Sequence, residues 1–157
     1  KNFDNVPNIC SHILQLGIDV TWYIIGFGGD ETLIRAKIKE EHMEKNVILL
    51  GKKENPYPYM KACDVYVQPS RYEGKSVAVR EAQLLGKPVV ITNYATADSQ
   101  LEDGVDGMIV PLENEKCACA IAELLKDKSK TEQLSQACAI RDYSNYKEIK
   151  KVYDLFE

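Results

Sequence analysis

Three times in the first half of the chain an apolar run ends near a glycine turn and passes into a helical pattern. Residues 20–25 are β-branched and aromatic and stop at Gly26-Phe27-Gly28-Gly29. Residues 47–50 stop at Gly51, and residues 64–68 lead through Pro69 and Ser70 to Gly74. Strands that alternate with helices favour parallel pairing through right-handed crossovers. The expected fold class is therefore α/β, a doubly wound parallel sheet with helices on both faces. Ligands of such sheets lie at the C-terminal ends of the strands, so the glycine turns should gather on that edge.

The remaining pattern fits one domain over residues 1–157. Asp4 is expected to cap a helix over 7–16 closed by Gly17, and Asp30 a second helix carrying Leu33, Ile34 and Ile38. Pro56-Tyr57-Pro58 opens a short helix to 62, residues 76–85 form another, and residues 88–92 read as a strand. Asp103-Gly104 and Asp106-Gly107 are turn signals around a last strand, 108–110. Three consecutive helices, 114–126, 130–139 and 146–156, close the chain.

A chain of 157 residues, 45% apolar and 28% charged, has the composition of an ordinary globular domain. Its net charge of −4 argues against nonspecific nucleic-acid binding. No apolar run approaches the roughly 20 residues that span a bilayer, and no signal peptide opens the chain, so a cytoplasmic setting is expected. The five cysteines include no C-x-x-C pair, and Cys117 and Cys119 do not share a helix face, so reduced thiols are expected. His12 and His42 fall on helical stretches and do not read as catalytic.

The chemistry concentrates between Pro69 and Gly86. Glu73 stands in a turn, Glu81 stands eight positions later, and a helix starts between them. A helix start favours anions, because its first amides lack partners and carry the positive end of the dipole. Two carboxylates beside such a site suit a ligand bearing phosphate and hydroxyls, and a nucleotide sugar fits. Val77, Ala78, Ala82 and Leu85 put Glu81 at the border of an apolar face, where an unpaired carboxylate is costly. The Gly26-Phe27-Gly28-Gly29 turn is only part of a dinucleotide fingerprint. Glu31 replaces its last glycine, and no acidic residue ends the next strand. A dehydrogenase is disfavoured, and close approach of backbone to a ligand remains open.

Glu73-Gly-Lys-Ser-Val-Ala-Val-Arg-Glu81, followed by Ala82 and Leu85-Gly-Lys-Pro-Val-Val, resembles the signature of family 4 glycosyltransferases. The flanks match as well: Ala62-Cys-Asp-Val-Tyr-Val-Gln-Pro-Ser before, Glu102-Asp-Gly-Val-Asp-Gly-Met-Ile-Val-Pro after. The resemblance runs from Lys1 to about residue 125. It implies the GT-B fold, in which two Rossmann-like domains face a cleft, and this chain resembles the C-terminal, donor-binding one.

By the same resemblance, Glu73 lies near the donor sugar, Glu81 binds the ribose hydroxyls, and Lys1 matches a lysine that holds the diphosphate. Glu73 and Lys1 are thus the candidate catalytic residues. Donor contacts are expected from Gly26, Gly28, Gly74, Lys75, Ser76, Val77 and Glu81, and nucleobase contacts from Lys52, Asn55 and Tyr57. Lys75 departs from the aromatic or aliphatic residue common after the motif glycine, and either touches the donor or reaches solvent. No metal and no cofactor are expected, since positive side chains would stabilise the departing diphosphate.

The implied activity is retaining transfer of a sugar from a UDP- or GDP-sugar to a glycan or lipid-linked acceptor in polysaccharide biosynthesis. Peripheral membrane association is implied for the full-length protein. A nucleotide-sugar epimerase of GT-B fold and a non-catalytic nucleotide-sugar-binding module are the alternatives. The family's first strand falls upstream of Lys1, so five strands with a gap beside 20–25 are expected, and the N-terminal acceptor domain is expected to be absent. Residues 1–157 alone should bind nucleotide weakly and transfer negligibly.

Overall fold

A computed structural model describes residues 1–144. A 3₁₀ turn, Phe3–Asn5, leads into α1 (Val6–Gln15), followed by β1 (Trp22–Ile25), α2 (Glu31–Glu40), β2 (Val47–Gly51) and α3 (Tyr57–Ala62). Then come β3 (Tyr66–Gln68), α4 (Val77–Leu84), β4 (Val89–Thr92), β5 (Met108–Val110), α5 (Asn114–Lys126) and α6 (Lys128–Ile140). The expected helix over 146–156 lies outside the described residues.

All pairing between named strands is parallel, as the alternation requires. The strands form two sheets, β1-β2 and β3-β4-β5. The division falls beside β1, where the sequence led us to expect a gap. The two sheets share a core all the same. Ile9 and Ile13 of α1, Val90 and Val110 of the larger sheet, and Cys117, Ala118 and Ile121 of α5 form one buried cluster. Trp22 of β1 and the preceding Val20 pack against it from one side, Val67 of β3 and the preceding Val65 from the other. Side chains rather than backbone bonds thus join the halves.

Alternation along β4 sets the layers. Val90 packs with α1 and α5, whereas Val89 and Ile91 pack with Val79 and Ala82 of α4 and Met60 of α3. Successive strand side chains point to opposite faces, so an all-apolar strand implies cover on both. A third cluster joins Val6 and Cys10 of α1, Ile34 and Ile38 of α2, and Ile24 and Val47 of the smaller sheet.

Several local expectations are corrected. The first strand begins at Trp22 rather than residue 20, because the Asn46 side chain takes the Val20 carbonyl (Nδ2 to O, 2.8 Å). Asp4 does not cap α1: it lies in the 3₁₀ turn, and Arg71 draws its carboxylate away. Asp30 precedes α2 without a side-chain capping bond. His42 lies past the end of α2 with φ +56°, in a turn rather than a helix.

Candidate functional site

The C-terminal ends of β1 and β2 meet at their glycines: the Gly26 amide donates to the Gly51 carbonyl at 3.0 Å. Gly51 takes φ +68° and Gly26 φ +145°, conformations that glycine adopts without the Cβ penalty. Above this edge the Lys52 ammonium sits 5.2 Å from the centroid of the exposed Phe27 ring, which tethers the Gly26–Gly29 turn to the exit of β2.

The larger sheet delivers the first glutamate. β3 ends at Gln68, and the chain turns through Ser70 and Glu73 before Ser76 starts α4. Glu73 Oε2 accepts from Ser70 Oγ at 3.0 Å and from Gln68 Nε2 at 3.3 Å, and Lys1 Nζ lies 3.7 Å away. Oε1 has no partner among the described residues. The Glu73 side chain is 16% exposed and that of Lys1 55%. The two candidate catalytic residues, 72 positions apart in the chain, are therefore neighbours.

The turn itself is pinned. Thr96 Oγ1 donates to the carbonyls of Glu73 (2.6 Å) and Gly74 (3.1 Å), and Thr92 Oγ1 donates to the Ser70 carbonyl. Arg71 reaches Asp4 at 3.1 Å, a second bridge between the turn and the start of the chain.

Glu81, on the next turn of α4, accepts a hydrogen bond from the Tyr57 hydroxyl at 2.9 Å. That bond raises the Tyr57 phenol above its ordinary value, and so keeps it a donor. Tyr57 in turn donates its amide to Asn55 Oδ1 at 3.1 Å. Two of the three candidate nucleobase residues thus form one unit with the candidate ribose residue, and Lys52 stands with Phe27. Tyr66 lies under both glutamates. Burial pushes its phenol up first, and the charges of Glu81 and then Glu73 add to the shift.

Three features differ from the sequence reading. The buried face of α4 is Val79, Ala82 and Gln83, with Leu85 packed against the same cluster, so Ala82 and Leu85 of the expected stripe face the core whereas Val77 is 71% exposed. The Ser76 amide already donates to Gln100 Oε1 at 2.6 Å, and its hydroxyl accepts from the Val79 amide. Gly74 and Lys75 keep amides without a bond among the described residues. Lys75 lines a cavity of about 640 Å³ with Arg80, Asp98 and Arg141, none of it formed by Glu73 or Glu81. A second cavity, about 670 Å³, is lined by Arg71, Asn93 and Asn114 and also lacks both glutamates.

Sequence reasoning missed the support beneath these residues. Gln68 is 2% exposed; it accepts from Tyr66 through Oε1 and donates to Ser70 and Glu73 through Nε2. A glutamine at the end of an otherwise apolar strand was the available signal. Asp106, 1% exposed, accepts from the Gln83 side chain, the Glu102 amide and the Tyr143 hydroxyl, and pairs with Arg141 at 3.3 Å. Among the described residues, no group of three or more His, Cys, Asp or Glu could hold a metal ion. No described helix is long and apolar enough to cross a membrane.

The family profile described as glycosyl transferases group 1 matches residues 1–140. The chain belongs to the glycosyl transferases group 1 family. Among relatives of this group 1 chain is the Campylobacter jejuni N-acetylgalactosamine-N,N'-diacetylbacillosaminyl-diphospho-undecaprenol 4-alpha-N-acetylgalactosaminyltransferase. It is 33% identical over 102 residues, covering 64% of this chain and 28% of that protein. The poly(glycerol-phosphate) alpha-glucosyltransferase of Bacillus subtilis is 32% identical over 115 residues, 72% of this chain and 17% of its own length. The chain thus corresponds to less than a third of either relative. Among solved structures, TarM superposes with a TM-score of 0.89 at 23% identity, over 100% of this chain and 32% of that one. Anabaena HepE, solved in complex with UDP, superposes with a TM-score of 0.80 at 23% identity, over 95% of this chain and 44% of its own. At this identity the likeness concerns the fold, which is that of the GT-B glycosyltransferases.

Proposed function

We propose that this chain is the donor-binding part of a retaining glycosyltransferase that moves a sugar from a UDP- or GDP-sugar to a glycan or lipid-linked acceptor. The observation that carries the reading is the Lys1–Glu73 neighbourhood, with Glu81 on the helix that follows. Relatives whose names include diphospho-undecaprenol and poly(glycerol-phosphate) support a role in surface-glycan assembly. A structural neighbour solved with UDP favours uridine over guanosine.

In this reading the Glu73 oxygen without a partner accepts from a sugar hydroxyl, while Gln68 and Ser70 hold the other oxygen still. Lys1 turns from Glu73 to the diphosphate. The exchange costs little, since Lys1 is more than half exposed and at 3.7 Å its pair with Glu73 is loose and screened by solvent. Positive charge at the leaving diphosphate stabilises the charge that develops there. The acceptor attacks on the face the diphosphate leaves, and neither metal nor cofactor takes part. Glu81 accepts from the ribose hydroxyls, and the amides of Gly74 and Lys75 meet the distal phosphate. The acceptor side of the cleft belongs to a further domain of the full-length enzyme, and residues 1–157 alone transfer negligibly.

Calorimetry with UDP and with GDP tests the reading. Saturable binding of one nucleotide, weakened in Glu81→Ala, is the expected result. Equal binding by that variant overturns the ribose assignment.

A further inference from the structure

Glu81 is half-buried on α4, and its carboxylate has a single polar partner among the described residues, the Tyr57 hydroxyl on Oε1. Oε2 is left open. Tyr57 is itself constrained: it is the first residue of α3, stands between Pro56 and Pro58, and is fastened by its amide to Asn55. The bond spans 24 positions of sequence and ties the β2–α3 connection to α4. A hydroxyl donating to a carboxylate is among the stronger neutral-to-ion hydrogen bonds. It does not exhaust its acceptor, because an ionised carboxylate offers about four lone-pair sites. A half-exposed phenol with only this bond is not needed for the core.

We propose that Tyr57 is a positioning residue for Glu81: its hydroxyl holds Oε1 so that Oε2 is presented in one orientation to a vicinal diol. This rests on the reading of Glu81 as the ribose-binding residue and gives Tyr57 a role besides contact with a base. An unrestrained glutamate would have to lose rotamer freedom on binding, whereas one already held by Tyr57 does not. The same bond keeps Asn55 and Tyr57 at a fixed height above the diol, so base and ribose are received by one preformed unit.

The test compares UDP with 2′,3′-dideoxy-UDP by calorimetry on the full-length protein, or the GDP pair if GDP binds the wild type more tightly. Tyr57→Phe keeps the ring and removes the hydroxyl. It should weaken binding of the diol nucleotide about three- to tenfold and leave the dideoxy nucleotide unchanged, with an unaltered melting temperature. In a Glu81→Ala background the same substitution should have no effect on either. Unchanged or tighter binding of the diol nucleotide by Tyr57→Phe overturns the inference, tighter binding meaning that the phenol competes with ribose. Equal weakening of both nucleotides overturns it too, and reduces Tyr57 to a base contact. Undiminished binding by Glu81→Ala overturns the ribose reading and the inference with it. Weakened binding in Glu81→Ala beside wild-type binding in Tyr57→Phe overturns the inference alone.

Discussion

Gly107 occupies a place where no side chain fits. A Cβ built there would lie 2.5 Å from Leu101 Cδ2 and 2.8 Å from the Val89 carbonyl oxygen. The leucine methyl could rotate away; the carbonyl belongs to a strand and could not. Gly107→Ala is therefore expected to destabilise by about 1–3 kcal/mol, read as a lower urea midpoint. Gln68 presents the opposite case, a buried side chain whose every polar atom is used. Gln68→Leu leaves the Tyr66 hydroxyl without its acceptor and Glu73 with one donor fewer. About 2 kcal/mol of stability should be lost. On the role proposed for Glu73, donor turnover by the full-length protein should fall by about 10- to 100-fold while nucleotide affinity is kept. Nucleotide binding and turnover measured together check this. Glu73 and Glu81 could be named as candidates from the motif, and Lys1 from the segment that opens the chain. Gln68 could not, because its worth lies in partners that only tertiary packing supplies.

At the scale of elements, nearly every strand and helix within the described residues was legible, and the misses share a cause. Asp4 looked like a cap because caps are local, yet Arg71, 67 positions away, competes for it. Helix α4 was read with Val77 on its apolar face, yet Val77 is exposed and the buried face includes Gln83, whose amide meets the buried Asp106. Hydrophobic periodicity finds the helix and misplaces its face when a polar residue is buried against a distant partner. Ser76 did start α4, by accepting from the Val79 amide at 3.4 Å in the N-cap geometry. Ser76→Ala should cost about 1 kcal/mol, checked by thermal unfolding at several scan rates. Gln100 still bonds the backbone at both ends of residue 76 and limits the loss.

The whole molecule should weaken in alkali. Burial pushes the Cys10 thiol up to about 11 and the Cys117 thiol up to about 12. The unfolded chain releases these protons first, so the stabilising contribution is complete below about pH 9 and is lost as pH rises toward 12. Urea midpoints should fall between pH 7 and pH 10.5, and replacing both cysteines by alanine should flatten that slope. The fold class was legible from alternation alone, whereas the gap beside residues 20–25 was expected only from the family resemblance.

Within residues 1–157, that division implies an uneven resistance to opening. A two-stranded sheet is marginal by itself, whereas β4 is fully buried between two neighbours. Amides of β1 and β2 should exchange with deuterium sooner than those of β4. A nucleotide sugar lying from the exit of β2 to Glu73 would straddle both sheets and act as a clasp across the seam. Saturating nucleotide should then slow exchange in β1 and β2 more than in β4.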